Sequence, residues 1–436
     1  MQKQRLGPSL YDCPRDKSVL ECVYLRRVLP MGRNTSIRET EWQRRILMNK
    51  VRLGIIGYGG MGTGYVKNIM NGMCPEIEIA AIADRKASRR AVCHEAYPDI
   101  PLFEEGSDLI ASGLVDAVHI VVPHYQHPTL AIDAFRHGLH VLCEKPAGVY
   151  TLQVREMNEA AAASGKVFAL MFNQRTNCIY RKMKEILVSG RLGEIKRVNW
   201  IITDWYRTQA YYDSGSWRAT WDGEGGGVLL NQCPHQLDLL QWLCGMPVKV
   251  HAHLHYGKWH DIEVEDDVTA YMEFPNGATG VFVSTTGDYP GSNRLEITLE
   301  KGKFLCEHDQ LFAWELEENE RVWCKQSQDG FGHIPYHPME LDMDDKNPQH
   351  IGIFNNFASC ILHGTPLVAE GQEGINSLML SNAFHLSDWL GESVTIPFDE
   401  EKFLELLTEK RKLSAPKADS DRILDPSGTY GSVVRL

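Results

Sequence analysis

Residues 51–57, VRLGIIG, run without a break into Gly57-Tyr58-Gly59-Gly60-Met61-Gly62, and this junction constrains the fold more than any other stretch of the chain. A nearly continuous apolar run suits a strand covered on both faces, as in the middle of a parallel sheet. In the GxGxxG pattern that follows, Gly57 permits a tight turn, Gly59 lets the backbone approach a pyrophosphate, and Gly62 lets the next helix pack closely on the strand. That helix is predicted over residues 63–70, with its N-terminus toward the phosphates. Alone the pattern is weak. It gains weight from a second strand, residues 78–83, which ends in Asp84, 22 positions after Gly62, where a carboxylate that binds ribose hydroxyls is expected.

Asp84 should repel a 2′-phosphate, which favours NAD over NADP. Arg85, with Lys86, Arg89 and Arg90, either holds such a phosphate or forms the solvated face of a helix, so NADP stays open. Further strands are expected at residues 115–122, closing on Pro123-His124, and at 139–143, with helical spacing over 127–137 between them. This alternation implies an α/β domain with a doubly wound parallel sheet. The last of these strands ends in Glu144-Lys145-Pro146, at the sheet edge where ligands bind. Lys145 there is either a buried, pKa-shifted amine or a surface cation, and Pro146 stops the ladder.

A chain of 436 residues with 43% hydrophobic content has room for two domains. Its net charge of −12 argues against nucleic acid or an anionic membrane as partner and leaves a small molecule. The 11 cysteines form no CxxC pair and no secretory segment precedes them, so reduced thiols and a cytoplasmic location are expected, and no apolar run reaches membrane-spanning length. Residues 1–47 carry Arg26, Arg27, Arg33, Arg38, Arg44 and Arg45 without apolar periodicity and are read as an extension; their acidic residues speak against a transit peptide. The expected division is 48–172 for the nucleotide domain, 173–413 for an α+β domain, and 414–436 for a C-terminal arm.

In the second domain, residues 198–202, 267–274, 278–284 and 294–299 alternate in polarity between turn signals, which implies an open, largely antiparallel sheet. Helices are expected at 350–362 and 371–389. Before the sheet's second strand lies Gly225-Gly226-Gly227-Val228-Leu229-Leu230-Asn231-Gln232-Cys233-Pro234-His235-Gln236-Leu237-Asp238. The glycines allow close backbone approach, expected against a nicotinamide, and Pro234 sets His235 near a helix start. A single histidine in such a place is often structural; Asp238, one turn on, either orients it or complements the helix dipole. Asp204, Trp205, Tyr206, Tyr211, Tyr212, Trp217 and Arg218 form an aromatic and polar cluster that is either a sugar-binding wall or a core or subunit interface. His251, His253 and His255 alternate along a strand, which reads as its outer face, and no metal is expected.

The GxGxxG junction, VVPHYQHPTLAIDAFRHGLHVLCEKP and GGGVLLNQCPHQLDLLQWLCG, in this order, resemble the glucose-fructose oxidoreductase, inositol dehydrogenase and rhizopine catabolism (Gfo/Idh/MocA) family of nicotinamide-dependent sugar oxidoreductases. The resemblance covers residues 51–391. It implies that Lys145 is catalytic or positions substrate, that Glu144 and Pro146 shape the turn, and that Pro123, His124, His127, Asn173 and Gln174 lie near the cofactor. It also implies that His235 is the general acid/base. Asn231 stands where the family commonly has an acid; it can orient a sugar but cannot raise the His235 pKa by charge. The function implied is oxidation of a secondary hydroxyl of a sugar or glycoside, with C3 preferred, by a homo-oligomer built through the second sheet. The alternatives are glycoside cleavage by transient oxidation and elimination, and a dinucleotide-binding regulator without chemistry.

Overall fold

The structure, a computed structural model, describes residues 50–418. The extension at 1–47 and most of the arm at 414–436 lie outside the described residues. The N-terminal domain is a six-stranded parallel sheet, with β1 (Val51–Ile56), β2 (Ile77–Ala83), β3 (Leu102–Phe103), β4 (Ala117–Ile120), β5 (His140–Cys143) and β6 (Phe168–Leu170) in the order β3-β2-β1-β4-β5-β6. Its connections carry α1 (Gly60–Met70), α2 (Ala87–Ala96), α3 (Gly106–Ala111), α4 (Gln126–Arg136) and α5 (Thr151–Ser164). All four residues of β4 are buried, as a central strand covered on both faces requires. The strand order reverses between β1 and β4, and the crevice beyond their C-terminal ends is where such sheets bind ligands. α1 begins three residues earlier than expected: Gly59 caps it, and Gly60, Met61 and Gly62 are already its first turn. Helix propensity pointed past the glycines, but tertiary packing of Gly62 on the strand overrides it.

The second sheet has nine strands. They are β7 (Ile195–Ile202), β8 (Lys249–Tyr256), β9 (Glu265–Glu273), β10 (Thr279–Thr285), β11 (Asn293–Leu299), β12 (Gly302–Glu307), β13 (Gln310–Leu316), β14 (Tyr336–Pro338) and β15 (Val394–Thr395), ordered β14-β13-β12-β11-β7-β10-β9-β8-β15. Only β7 and β10 pair in parallel; the other seven pairings are antiparallel. Along β8, Val250, Ala252 and Leu254 are buried while His253 and His255 are exposed, so the histidine row is the outer face. Register holds because a one-residue slip would turn these apolar side chains to water, at about 1.5–3 kcal/mol for each large one.

The remaining helices are α6 (Cys178–Val188), α7 (Gln209–Tyr212), α8 (Pro234–Cys244), α9 (Glu320–Gln326), α10 (Gln349–His363), α11 (Gly374–Leu390) and α12 (Glu400–Lys412). The amide N–H groups of Ala252 and Leu254 donate to Ser387 Oγ (3.1 Å) and Asp388 Oδ1 (2.8 Å), which docks the end of α11 on β8. Arg175, 1% exposed, binds Asp238 of α8 through two bonds of 2.8 and 2.6 Å, and also Glu373. This ion pair fixes α8 against the turn that follows β6. Asp238 therefore neither orients His235 nor simply caps a dipole; its partner comes from 63 residues away.

Candidate active site

A cleft of about 1080 Å³ runs from the glycine turn to the loops above the second sheet. At one end, Gly57 has φ +108°, and a Cβ there would lie 2.2 Å from the Val121 carbonyl oxygen. Only glycine fits. The carboxylate of buried Asp84 accepts the backbone N–H groups of Tyr58 and Lys86, both at 2.8 Å, and so clamps the turn to the end of β2. Arg85 pairs with Glu105 at 2.9 Å and Arg90 with Glu104 at 3.0 Å. Arg89 pairs with Asp84 at 3.4 Å, so all three arginines that left a 2′-phosphate open are already engaged. Gly59, Gly60, Met61 and Gly62 line this end, together with Asp84 and Arg85. Tyr58 does not: it is buried, and its backbone N–H is bound to Asp84.

At the other end, the Lys145 ammonium donates to the Asn231 carbonyl at 2.9 Å. Behind it, Glu144 accepts the Tyr65 hydroxyl at 2.6 Å and the Lys145 N–H at 3.2 Å. Burial lowers the Lys145 pKa, with Arg218 and Arg207 adding to the effect and Glu144 and Glu224 opposing it. His124 and His127 stand between the two ends. His124 donates from Nδ1 to the Glu224 carbonyl at 3.2 Å, and the His127 ring bridges the carbonyls of Val122 and Pro146, each at 2.7 Å. Pro123, His124, His127, Glu144 and Lys145 all line the cleft.

His235, the second residue of α8, lines the same cleft, and its Nδ1 is buried without a hydrogen-bond partner among the described residues. Desolvation, then the Lys145 and His350 charges, hold its pKa well below the ordinary value, so the imidazole is neutral near pH 7. His350, unforeseen from sequence, enters from α10 and is pushed down to about 4, by burial first and Lys145 second. The residue before it, Gln349, has φ +51°, a costly conformation for a non-glycine residue. The side-chain amides of Asn173 and Gln174 both donate to Gln349 Oε1. Asn173 and Gln174, expected near the cofactor, are buried and do not line the cleft; they hold the segment that presents His350.

Trp205, Arg207, Tyr211, Trp217, Arg218, Asn231 and Gln232 form the wall opposite. The Tyr211 hydroxyl donates to Asn231 Oδ1 at 3.2 Å and accepts from Arg218 (2.9 Å) and Gln232 (3.3 Å). The Asn231 amide nitrogen donates to Glu224. Each polar end of the Asn231 side chain thus has one protein partner while the residue lines the cleft. Tyr206 is also outside: it is 43% exposed and its ring packs on Tyr289. The triple glycine does not line the cleft either. A Cβ on Gly227 would sit 1.9 Å from the Glu265 carbonyl oxygen, and the N–H groups of Gly227 and Leu229 donate to the Glu265 carboxylate at 2.8 and 3.0 Å. Gly227 thus approaches β9, while Gly225 approaches Val149. From the C-terminal side, Lys417 donates to the carbonyls of Tyr212 (2.6 Å) and Arg218 (3.3 Å), fastening the wall from outside.

Residues 51–172 match the oxidoreductase family with an NAD-binding Rossmann fold, and residues 180–305 match the GFO/IDH/MocA C-terminal domain. The chain belongs to the Gfo/Idh/MocA family. Among relatives of this Gfo/Idh/MocA protein, the D-glucoside 3-dehydrogenase of Escherichia coli is 28% identical over 222 residues, 46% of this chain and 61% of that enzyme. The chain thus spans about three fifths of that relative's length. The myo-inositol 2-dehydrogenase of Thermotoga maritima is 24% identical over 341 residues, 76% of this chain and 95% of that enzyme. The crystal structure of the WlbA dehydrogenase from Bordetella pertussis in complex with NADH and UDP-GlcNAcA superposes with a TM-score of 0.67 at 26% identity, covering 80% of this chain and 100% of that one. The cofactor of the N-terminal domain is NAD, and the cradle fits it: the glycine turn leaves room for phosphates, and buried Asp84 stands at the end of β2.

Proposed function

We propose that this chain is an NAD-dependent dehydrogenase that oxidises a secondary hydroxyl of a sugar or glycoside to the ketone. The observation that carries this reading is that Lys145 and His235 line one cleft with the glycine turn and Asp84. The likeness to a D-glucoside 3-dehydrogenase supports C3 as the position oxidised. NAD, when bound, accepts the hydride. His235, neutral near pH 7, takes the hydroxyl proton. Lys145 hydrogen-bonds the same oxygen and stabilises the developing alkoxide, an effect that is strong in a water-poor cleft. Asn231 acts through its carbonyl, which aims Lys145. Trp205, Trp217 and Arg218 receive the sugar ring by stacking and hydrogen bonding.

His350 favours a second reading. A second neutral imidazole in the cleft can remove the C–H proton made acidic by a neighbouring ketone, so that the glycosidic bond breaks by elimination and the aglycone departs; water adds to the enone that results, and return of the hydride to the ketone restores the starting cofactor state. Purified protein with NAD, offered free sugars, inositols and O- and C-glycosides, separates the two. Net formation of reduced nicotinamide, lost in Lys145→Ala, supports the dehydrogenase; cleavage without net reduction supports the second reading; no reaction across the panel sinks both. The outer face of the second sheet, with Ile201, Tyr271 and Phe312 exposed, supports pairing with a second copy, which sedimentation of the purified chain tests. The described cysteines are unpaired thiols, which supports a reducing, cytoplasmic setting. Among the described residues no helix is long and apolar enough to cross a membrane.

A further inference from the structure

Glu224 is a carboxylate 2% exposed, set behind the cleft and without a part in the chemistry proposed above. A buried ionised carboxylate is costly unless hydrogen bonds and opposite charge compensate it. One of its oxygens accepts the Ala219 N–H at 2.5 Å, and the other accepts the Asn231 side-chain amide. Asn231 in turn accepts the Lys145 ammonium on its carbonyl at 2.9 Å. A buried negative charge is therefore joined to the ammonium in the cleft through one residue. We infer that Glu224 is a positioning residue that keeps Lys145 protonated and Asn231 fixed, supplying from behind the charge that Asn231 lacks.

The groups that face Lys145 are Glu144 beside it, Arg207 and Arg218 from the wall, His124 in the loop after β4, His127 on α4, His235 on α8 and His350 on α10. Burial, Arg218 and Arg207 all favour loss of its proton; Glu144 and Glu224 oppose them. Burial raises the pKa of Glu224 itself and Glu265 adds to this as a like charge, while Arg218 and the bonds from Ala219 and Asn231 favour its ionised form. A purely structural role also exists, since Glu224 holds Ala219, whose φ is +57°. Loss of that role would lower stability or the active fraction and leave the Lys145 titration where it is.

The catalytic meaning of this inference rests on the dehydrogenase reading, but its test does not. Lys145 is titrated directly by carbon-13 NMR of lysine Cε in the NAD-loaded full chain, with its resonance assigned by Lys145→Arg. Glu224→Gln should lower the Lys145 pKa by about half a unit or more. The double variant Glu224→Gln/Asn231→Asp retains each hydrogen bond: the new amide accepts from Ala219 and donates to the new carboxylate, which still accepts from Tyr211. Because it moves the charge one residue nearer, it should raise the Lys145 pKa above that of the natural chain, and it tests the inference even where the single variant fails to fold. A Lys145 titration at its natural position in the double variant overturns the inference. The expected shifts without oxidation of any sugar leave the inference standing and remove the proposed function instead.

Discussion

The two ends of the cleft are made of different material. At the cofactor end, backbone does the shaping: Gly57 is demanded by a carbonyl 2.2 Å from where its Cβ would lie, and the Asp84 carboxylate binds two backbone N–H groups. At the other end, where we place the substrate, side chains do it, drawn from the turn after β5, the loop after β7, α8 and α10, with Lys417 fastening the wall from outside. A backbone-built site is local and tolerates few residue types. A side-chain-built site depends on long-range partners, and single substitutions should change its chemistry while leaving the cofactor end intact.

The largest expected effect is at His235. His235→Asn should lower kcat for sugar oxidation by about 10²–10⁴ with the NAD dissociation constant unchanged, checked by steady-state kinetics beside a nucleotide titration; parallel loss of NAD affinity would erase the distinction between the two ends. Asp238→Ala should come next, because it strands a buried guanidinium, and the cost to folding should be about 3–5 kcal/mol in denaturant titration. A loss below about 1 kcal/mol would mean that Glu373 alone holds Arg175.

The pH dependence of oxidation sharpens the same contrast. His235 is held well below its ordinary value, so it stays a neutral proton acceptor at the pH where a free histidine would protonate. The rate of oxidation at saturating NAD should therefore be flat through about pH 6.5 and fall only at lower pH. An acid limb centred at or above that pH would contradict the desolvated setting of the imidazole. The smallest effect is expected from Lys417→Ala, which removes two hydrogen bonds to the wall's backbone. The sugar KM should rise by roughly two- to tenfold, with NAD binding untouched.

Legibility from sequence follows the same division. The cofactor end was readable because glycine spacing and a strand-terminal acid are local signals, and Glu144-Lys145-Pro146 and Pro234-His235 are equally compact. His350 was not, because nothing near it in sequence marks it; its signal is the strained Gln349 held by Asn173 and Gln174, visible only after folding. Glu224 did leave a trace, a carboxylate directly before three glycines, yet its partner Asn231 lies across the turn. The hairpin of β12 and β13 escaped because its turn uses His308 and Asp309 at φ +52° and +55°, where Asn-Gly would have announced it. Helix α12 did carry a readable apolar stripe in buried Phe403 and Leu407, overlooked beside its run of charges.

The most direct measurement is Lys145→Ala, followed by two readings on one preparation: NADH affinity by fluorescence titration and the single-turnover rate of sugar oxidation. The account predicts unchanged affinity and a rate lowered by about 10²–10³. A rate that survives, or an affinity that falls with it, would contradict the claim that backbone holds the cofactor while Lys145 serves the reacting oxygen.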